Sequence, residues 1–287
     1  MRFVINDLIK YFPKRVQDSH KGTYGKVFNI SGSKFYTGAA VLSSLSALKI
    51  GAGYVTLACP ENICSIIASY SPDITFLPLE NNEGCISHKN LDYVLKKSEE
   101  YTVVSIGSGV AQNTATQKFI IDFLKNIQKP CVIDADAINA LSVTKDFILP
   151  EKSIITPHPR ELSRLISVSV EEIQKNREKF AVETANKHKC IVILKGHNTV
   201  VTDGEKIYIN ETGNSALAKA GSGDVLTGII TGILAQKNGE DIFETASLGV
   251  YLHGFVADIA VKDTTEYGLL ASELLNYIPK AVAKIIS

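Results

Sequence analysis

Short apolar segments alternate along this chain with longer segments in which apolar residues recur at helical spacing. The segments with the composition of buried strands are 27–31, 54–58, 74–79, 103–106, 131–133, 153–155, 190–194 and 200–202. Between them we predict helices, among them one over 37–48 that is capped by Thr37 and one from the Ser169 capping box to about Lys187. This alternation predicts an α/β fold with a mostly parallel central sheet flanked by helices on both faces.

The strongest helical pattern follows directly after Gly221, Ser222, Gly223 and Asp224, with an apolar face over 225–234. The first N–H groups of a helix have no internal partner and attract anions, and glycine lets an oxyanion approach them closely. A carboxylate at this place is a poor phosphate ligand, but it could accept a proton from a hydroxyl that attacks phosphorus. The alternative is a glycine-rich turn in which Asp224 is an ordinary first-turn residue.

Length and charge narrow the class of protein. The chain has 287 residues, 45% of them apolar, which suits one α/β domain over residues 1–287. Its 30 basic and 30 acidic residues give a formal net charge of zero, so the composition favours neither a nucleic-acid-binding nor a membrane-surface protein. No apolar run approaches the ~20 residues of a membrane-spanning helix.

The cysteines and the N-terminal residues indicate the cellular compartment in which the protein is found. Five cysteines are scattered along the chain without zinc-ligand spacing, and the neighbours of Cys131 and Cys190 are those of buried, reduced thiols. The first residues are interrupted by Asp7 and Lys10 and lack the apolar core of a signal peptide. We therefore expect a cytoplasmic protein.

The glycine motif extends into a longer pattern over residues 213–228, Gly-Asn-(x)6-Gly-Ser-Gly-Asp-Val-Leu-Thr-Gly. Its centre resembles the Gly-x-Gly-Asp motif of the ribokinase-like superfamily. The longer form resembles the nucleotide-dependent NAD(P)H-hydrate dehydratases, which repair hydrated nicotinamide cofactors. Six separated motifs between about residues 15 and 275 resemble this family in the same order. The resemblance implies a ribokinase-like fold and a single dehydratase domain.

Two glycine loops and one histidine resemble the substrate site of this family. The first loop, Gly-Ser-x-x-Tyr-x-Gly-Ala over 32–39, lacks the Gly-x-Gly-x-x-Gly of a Rossmann oxidoreductase. The second is 107–109, where Ser108 departs from the usual Gly-Pro-Gly. His158 lies between two prolines, which restrict its backbone, and Arg160 replaces a glycine of the family pattern. The resemblance assigns binding of the hydrated cofactor, NAD(P)HX, to Tyr36, Gly38, Ala39, Gly109, Asp134, His158 and Asp224.

Acidic residues after two predicted strands are candidate ligand or metal contacts. Asp134 and Asp136 could contact ligand hydroxyls or a hydrated Mg²⁺, or Asp136 could simply cap the following short helix. The resemblance to the family pattern Asp-Ala-Asp-x-Leu-Asn favours a functional role for Asp134. It also implies that Glu161 lies near the metal and the phosphates and contacts Mg²⁺ through water or phosphate.

The segment after the strand 190–194 is a candidate nucleotide site. Lys195 could reach a phosphate, and Gly196 and Thr199 could approach one closely, although the segment could also be a plain hairpin turn. Similarity to the family pattern Leu-Lys-Gly-x-x-Thr assigns nucleotide binding to Lys195, Gly196, His197, Asn198, Thr199 and Gly223, and phosphate binding to Gly221, Ser222 and Gly223. Farther along, His253 and Asp258 are interpreted as packing or surface residues.

The resemblance implies a complete reaction. Asp224 deprotonates the ring hydroxyl of NAD(P)HX, the hydroxyl attacks the terminal phosphoryl of ADP or ATP, and phosphate is then expelled to restore NAD(P)H. It further implies Mg²⁺, a preference for ADP, a homo-oligomer and a functional partnership with an NAD(P)HX epimerase. Two alternatives stay open: a vitamin-precursor kinase of the hydroxyethylthiazole type, which would release a stable phosphorylated product, and a nucleotide-sensing protein without turnover.

Overall fold

The structure, a computed structural model, describes residues 1–144, 147 and 149–286. Ten strands form its main sheet: β1 (Arg2–Phe3), β2 (Lys26–Ile30), β3 (Tyr54–Pro60), β4 (Thr75–Leu79), β7 (Val103–Ile106), β8 (Cys131–Ile133), β9 (Ser153–Ile155), β10 (Ile191–Leu194), β11 (Thr199–Thr202) and β12 (Ile207–Asn210). A separate two-stranded hairpin consists of β5 (Asn81–Asn82) and β6 (Cys85–Ile86).

The helices of the described chain lie between these strands in the sequence or follow the last of them. They are α1 (Ile5–Ile9), α2 (Thr37–Lys49), α3 (Glu61–Ala68), α4 (Leu91–Ser98), α5 (Thr114–Asn126), α6 (Asp136–Ser142), α7 (Pro159–Ile166), α8 (Val170–Lys175), α9 (Arg177–His188), α10 (Ser222–Gln236), α11 (Ile242–Ala260) and α12 (Ala271–Ile286). Within the described residues, no helix combines the length and the apolar character needed to span a bilayer.

The strand order of the main sheet is β1-β12-β11-β10-β9-β8-β7-β2-β3-β4. All neighbours from β10 to β4 are parallel, whereas β11 is antiparallel to both β10 and β12. The predicted mostly parallel sheet is therefore confirmed. Because parallel strands end at the same edge, the loops after β2, β7, β8, β9 and β10 lie side by side, and these are the loops that carry the predicted site residues.

Helices cover both faces of the sheet, as predicted. Consecutive side chains of β2 point to opposite faces, so Val27 joins one buried cluster and Phe28 another. Phe28 packs in a cluster that includes Phe119 and Phe123 of α5, while Val27 packs in a cluster that includes residues of α10 and α11. A further buried cluster joins α10, α11 and α12 outside the second face. The five cysteines are free thiols, and Cys131 and Cys190 are buried, as expected.

Helix α10 is held against α2 by small residues. A Cβ atom added at Gly228 would lie 1.9 Å from Oγ of Ser46, and one added at Gly232 would lie 2.3 Å from Cγ2 of Ile50. Larger side chains would force these two helices apart. The close approach fixes the position of the α10 N-terminus, and with it the position of Asp224.

Two predicted helix boundaries were wrong. Tyr36, not Thr37, is the residue before α2, because a turn in which the Tyr36 N–H donates to the Ser33 carbonyl makes Thr37 the first helical residue. The predicted helix from Ser169 to about Lys187 is interrupted at Asn176, which leaves the helical conformation at φ −136° and ψ 47°. The Asn176 side chain donates to the Glu172 carbonyl and so competes with helix continuation.

Candidate active site

The N-terminus of α10 has the predicted geometry of an anion site. The helix begins at Ser222, and Gly221 precedes it with φ 94°. A Cβ atom at Gly221 would lie 2.7 Å from Cδ1 of Leu42 and 2.9 Å from Cβ of Ala271, so conformation and space both require glycine here. Asp224 lies in the first turn, as predicted. The Ser222 N–H donates to the Lys219 carbonyl at 3.3 Å, whereas the first-turn N–H groups that follow it are available to a phosphoryl oxygen beside that carboxylate.

The Asp224 carboxyl group has an unusual affinity for protons. Burial and, to a smaller extent, the negative charge of Asp134 raise its pKa from 3.8 to about 7, against the opposing effects of Ser108 and Lys195. A general base works best when its pKa lies close to the pH at which it operates. Asp224 therefore meets the protonation requirement for removing a proton from a hydroxyl group near neutral pH.

Asp134 and Lys195 form a buried ion pair beside this helix terminus. Lys195 Nζ donates to Asp134 Oδ1 at 2.8 Å, and the hydroxyl of Thr156 donates to the same oxygen at 2.5 Å. Burial on its own would raise the pKa of Asp134, but the charge of Lys195 and these hydrogen bonds lower it below the usual value. Burial opposes the charge on Lys195, yet Asp134 and Glu161 raise the pKa of this lysine. Both groups are therefore charged at neutral pH.

His158 has a structural contact that sequence reasoning did not predict. It is the N-cap of α7, where its Nδ1 atom accepts hydrogen bonds from the N–H groups of Arg160 and Glu161, both at 3.1 Å. In return, Oε2 of Glu161 accepts from the His158 N–H at 2.8 Å. Burial lowers the pKa of His158, so its ring is neutral at pH 7. Its side chain stays 44% exposed, which leaves part of the ring accessible to a ligand.

The two predicted substrate loops meet in space. A Cβ atom at Gly109, which has φ +65°, would lie 2.7 Å from the Cβ atoms of both Ala39 and Tyr36. Gly38 is exposed beside them, with open space where its Cβ would be. The structure thus brings together Tyr36, Gly38, Ala39 and Gly109, which the sequence places about 70 residues apart.

Asp136 holds the second of these loops in place. Its carboxylate accepts from the Ala111 N–H at 3.0 Å and from the Gln112 side chain at 2.9 Å. Of the roles left open by the sequence, the structure supports neither ligand binding nor simple capping for Asp136. It ties the loop after Gly109 to the start of α6.

A cavity of about 630 Å³ contains the predicted nucleotide residues. The turn from Lys195 to Thr199 joins β10 to β11 and is therefore a hairpin turn. Its residues also line the cavity, so the two interpretations of this segment do not exclude each other. Ser222 and Gly223 line the same cavity, and a Cβ atom at Gly223 would lie 3.6 Å from Nζ of Lys195. This places the lysine ammonium group next to the helix terminus, where it can attract a phosphate chain.

The cavity is also lined by residues that sequence reasoning missed, among them Thr212, Asn214, Leu217, His253 and Glu266. His253 was interpreted as a packing or surface residue, but it also lines the cavity. Asp258 has the predicted packing role, because it accepts hydrogen bonds from the Gly213 N–H and the Asn214 side chain, both at 2.9 Å. Polar residues within the otherwise apolar helix α11 were the available signal.

The acidic residues do not form a protein cage for a metal ion. Within the described part of the chain, no group of three or more His, Cys, Asp or Glu side chains is arranged to hold one. Asp134 is paired with Lys195. The side chain of Glu161 is only 5% exposed and accepts a hydrogen bond from the His158 backbone N–H, and its Oε2 atom lies 3.9 Å from Nζ of Lys195. A Mg²⁺ ion that arrives on nucleotide phosphates usually keeps several waters and needs only one or two carboxylates, which fits this site better.

Comparisons with known proteins agree with this geometry. A sequence model of the NAD(P)H-hydrate dehydratase family matches residues 27–280. The chain is 35% identical to the ADP-dependent (S)-NAD(P)H-hydrate dehydratase of Bacillus subtilis, with 93% of this chain and 92% of the other covered. It is 38% identical to a bifunctional NAD(P)H-hydrate repair enzyme of Moorella thermoacetica, covering 93% of this chain but only 51% of that enzyme. The chain therefore spans about half the length of this bifunctional relative.

A solved structure extends the comparison to the fold. The ADP/ATP-dependent NAD(P)H-hydrate dehydratase of Bacillus subtilis, co-crystallised with ATP and Mg²⁺, matches with a TM-score of 0.83 and 31% identity, covering 98% of this chain and 97% of the other. The predicted ribokinase-like fold is confirmed. The chain belongs to the NAD(P)H-hydrate dehydratase family.

Proposed function

We propose that this protein catalyses the nucleotide-dependent dehydration of (6S)-NAD(P)HX to NAD(P)H, with ADP preferred to ATP. The observation that carries the proposal is the position of Asp224. It lies in the first turn of α10, and Ser222 and Gly223 of the same turn line the nucleotide cavity together with Lys195. A buried base with a pKa of about 7 beside this cavity suits the transfer of a phosphoryl group to a hydroxyl.

The reaction follows from this arrangement. Asp224 accepts the proton of the ring hydroxyl while the hydroxyl oxygen attacks the terminal phosphorus of ADP, and AMP leaves. The N–H groups of Gly221 and Gly223 bind the charge that develops on the phosphoryl oxygens, and Lys195 binds the phosphate chain. The lone pair of the ring nitrogen then expels phosphate, and loss of a proton from the neighbouring ring carbon restores NAD(P)H.

The co-substrate and the metal ion are proposed from relatives together with this chain's own residues. The Bacillus subtilis relative is named ADP-dependent, and its structure was obtained with ATP and Mg²⁺. Mg²⁺ would neutralise phosphate charge when it is bound. Glu161 would face it through water, because the Glu161 carboxylate is already bonded to His158. We further infer a cytoplasmic homo-oligomer that acts together with an epimerase, which would convert the other NAD(P)HX epimer into the substrate.

A spectroscopic assay tests the proposed function. The purified protein is mixed with (6S)-NADHX, Mg²⁺ and either ADP or ATP, and the near-ultraviolet absorbance of the dihydronicotinamide ring is followed. We expect the absorbance to recover with release of one AMP per NADH when ADP is the donor. A stable phosphorylated product without recovery would indicate a kinase, and nucleotide binding without turnover would indicate a sensor. The Asp224→Asn variant serves as the inactive control.

A further inference from the structure

Arg177, the first residue of α9, contacts the hairpin that carries Lys195 but is not among the residues that line the nucleotide cavity. Its Nη2 atom donates to the Leu194 carbonyl at 2.7 Å and, more weakly, to the Lys195 carbonyl at 3.3 Å. Its Nη1 atom donates to Oε1 of Gln174 at 2.7 Å. One guanidinium group therefore joins α8 to the end of β10 and to the residue that follows this strand.

The position of Arg177 is unfavourable for an arginine that has no further role. A positive charge at the N-terminus of a helix is opposed by the helix dipole. Arg177 is partly buried, burial lowers the pKa of its guanidinium, and its Nε atom has no hydrogen-bond partner among the described residues. Its partners in the described chain are carbonyl and amide oxygens, none of them a carboxylate. The hydrogen bonds to the hairpin are thus the interactions that offset these costs.

The backbone of Lys195 is fixed at both of its polar groups. Its N–H donates to the Pro157 carbonyl at 2.9 Å, and its carbonyl accepts from Arg177. The next residue, Gly196, has φ +143°, and a Cβ atom there would lie 3.1 Å from Nη1 of Arg177, so the guanidinium packs directly against the start of the turn. From this backbone the Lys195 side chain reaches the α10 terminus, where its Nζ atom lies 3.6 Å from the Cβ position of Gly223.

The position of the Lys195 ammonium group depends on this backbone, because a lysine side chain is a flexible four-carbon stem with a point charge at its end. The turn residues 196–198 are exposed and add little packing of their own. We propose that Arg177 is a positioning residue for nucleotide binding: its guanidinium fixes the carbonyls of Leu194 and Lys195 and thereby keeps the Lys195 ammonium group beside the α10 terminus. The inference rests on the proposed function in one respect, that Lys195 binds the phosphate chain of ADP or ATP.

Titration of the full chain with ADP in the presence of Mg²⁺ tests this role. Arg177→Met should weaken ADP binding by about 5- to 20-fold, less than the loss of the whole Lys195 contact, because the ammonium group is displaced and not removed. Arg177→Lys keeps the positive charge but lacks the planar fork that reaches both carbonyls and Gln174 at once, so it should recover only part of the affinity. If the charge alone mattered, Arg177→Lys would bind ADP as tightly as the wild type.

A double-mutant cycle tests whether Arg177 acts through Lys195. Arg177→Met is added to the Lys195→Met/Asp134→Asn protein, in which both charges of the buried ion pair are removed together so that no buried carboxylate is left unpaired. With no ammonium group left to position, Arg177→Met should change the ADP affinity of this protein by less than about 2-fold. Competition against a fluorescent ADP analogue keeps the weak affinities of these proteins measurable.

Arg2 provides a matched control on the same helix. It forms a salt bridge at 2.9 Å with Glu178, the residue after Arg177, and its side chain is 70% exposed. Arg2→Met removes an arginine contact from the first turn of α9 and leaves the guanidinium of Arg177 in place. Because an exposed salt bridge contributes little to stability, the ADP affinity and the melting temperature of this variant should match those of the wild type.

Three results would overturn the inference: wild-type ADP affinity in Arg177→Met, an equal loss of ADP affinity with and without Lys195, or full recovery in Arg177→Lys. A loss in Arg2→Met as large as that in Arg177→Met would also overturn it, because the helix and not the guanidinium contact would then be responsible. Arg177→Gln, which keeps an amide donor, takes the same place in the cycle if the methionine variant does not fold. Failure of the wild-type protein to bind ADP would instead refute the proposed function, so the two proposals fail by different observations.

Discussion

Nζ of Lys195 lies 2.8 Å from Oδ1 of Asp134, although the two residues are 61 positions apart in the sequence. Asp134 follows β8 and Lys195 follows β10, while Thr156, which follows the intervening strand β9, donates to the same Asp134 oxygen. Lys195 is also 3.9 Å from Oε2 of Glu161, the partner of His158. Lys195 thus lines the cavity that contains the predicted nucleotide residues and also contacts two carboxylates, those of Asp134 and Glu161, that do not line it.

This ion pair makes the effect of replacing Lys195 larger than the loss of one phosphate contact. Lys195→Met leaves the buried Asp134 carboxylate unpaired, so we expect a loss of about 3–5 kcal/mol in the free energy of unfolding and a higher KM for nucleotide. Urea denaturation and ADP titration measure the two effects. Adding Asp134→Asn to the variant should restore much of the stability but not the ADP affinity. Normal ADP affinity of the single variant would refute the nucleotide assignment.

The proposed base can be removed with little change of shape. Asp224→Asn should lower turnover by about 10²–10⁴-fold, because a positioned general base typically contributes that much. ADP binding should persist or tighten slightly, since a negative charge near the phosphates is lost. Steady-state kinetics across a Mg²⁺ titration provides the measurement. Near-normal turnover at high Mg²⁺ would show that Asp224 holds the metal ion and is not the base.

The pKa of Asp224 sets the pH dependence of the rate. Since the base must be deprotonated and burial raises its pKa to about 7, kcat/KM should rise with pH up to about 7 and level off above it. If the base were a carboxylate with an unperturbed pKa, the rise of kcat/KM would instead occur near pH 4. We would measure kcat/KM from about pH 5 to 9 at saturating Mg²⁺, correcting for the ionisation of free ADP. A rate independent of pH over this range would contradict the assignment.

The raised pKa of Asp224 also predicts how stability depends on pH. The dependence has the opposite sign to that of a salt-bridged carboxylate, whose contribution to stability increases with pH. Because the pKa of Asp224 in the folded protein, about 7, exceeds its usual value of 3.8, stability falls as pH rises from about 4 to about 7 and stays reduced above that. Asp224→Asn removes this penalty, so it should be more stable than the wild type at pH 8 by up to about 4 kcal/mol. The difference should vanish near pH 4. Equal stability at both pH values would contradict the raised pKa.

The contact between the two substrate loops can be tested at a glycine. Gly109→Ala places a Cβ 2.7 Å from those of Tyr36 and Ala39 and forces a residue other than glycine to φ +65°, so it should cost at least about 1–2 kcal/mol of stability and raise the KM for NADHX. The KM for ADP should change little. Gly38→Ala is the control for stability, because a Cβ there meets open space. An unchanged KM for NADHX in Gly109→Ala would remove this loop from the substrate site.

Local sequence patterns were sufficient for the parts of the protein that depend on near neighbours in the chain. Apolar segments separated by helical periodicity determined the parallel sheet, and in such a sheet the strand ends must share one edge. The spacing of Gly221, Gly223 and Asp224 before an apolar helical face determined an anion site with a carboxylate beside it. The same motifs were enough to identify the family.

The tertiary structure decided which distant residues meet and what charge they carry. The pairing of Lys195 with Asp134 depends on the order of β8, β9 and β10, and the raised pKa of Asp224 depends on burial and on Asp134. The role of His158 as a helix cap and the position of His253 in the cavity wall are likewise results of packing. Local spacing cannot encode these features, because a hydrogen bond or a desolvated charge depends on all the neighbours that surround a group, and packing brings those neighbours from every part of the chain.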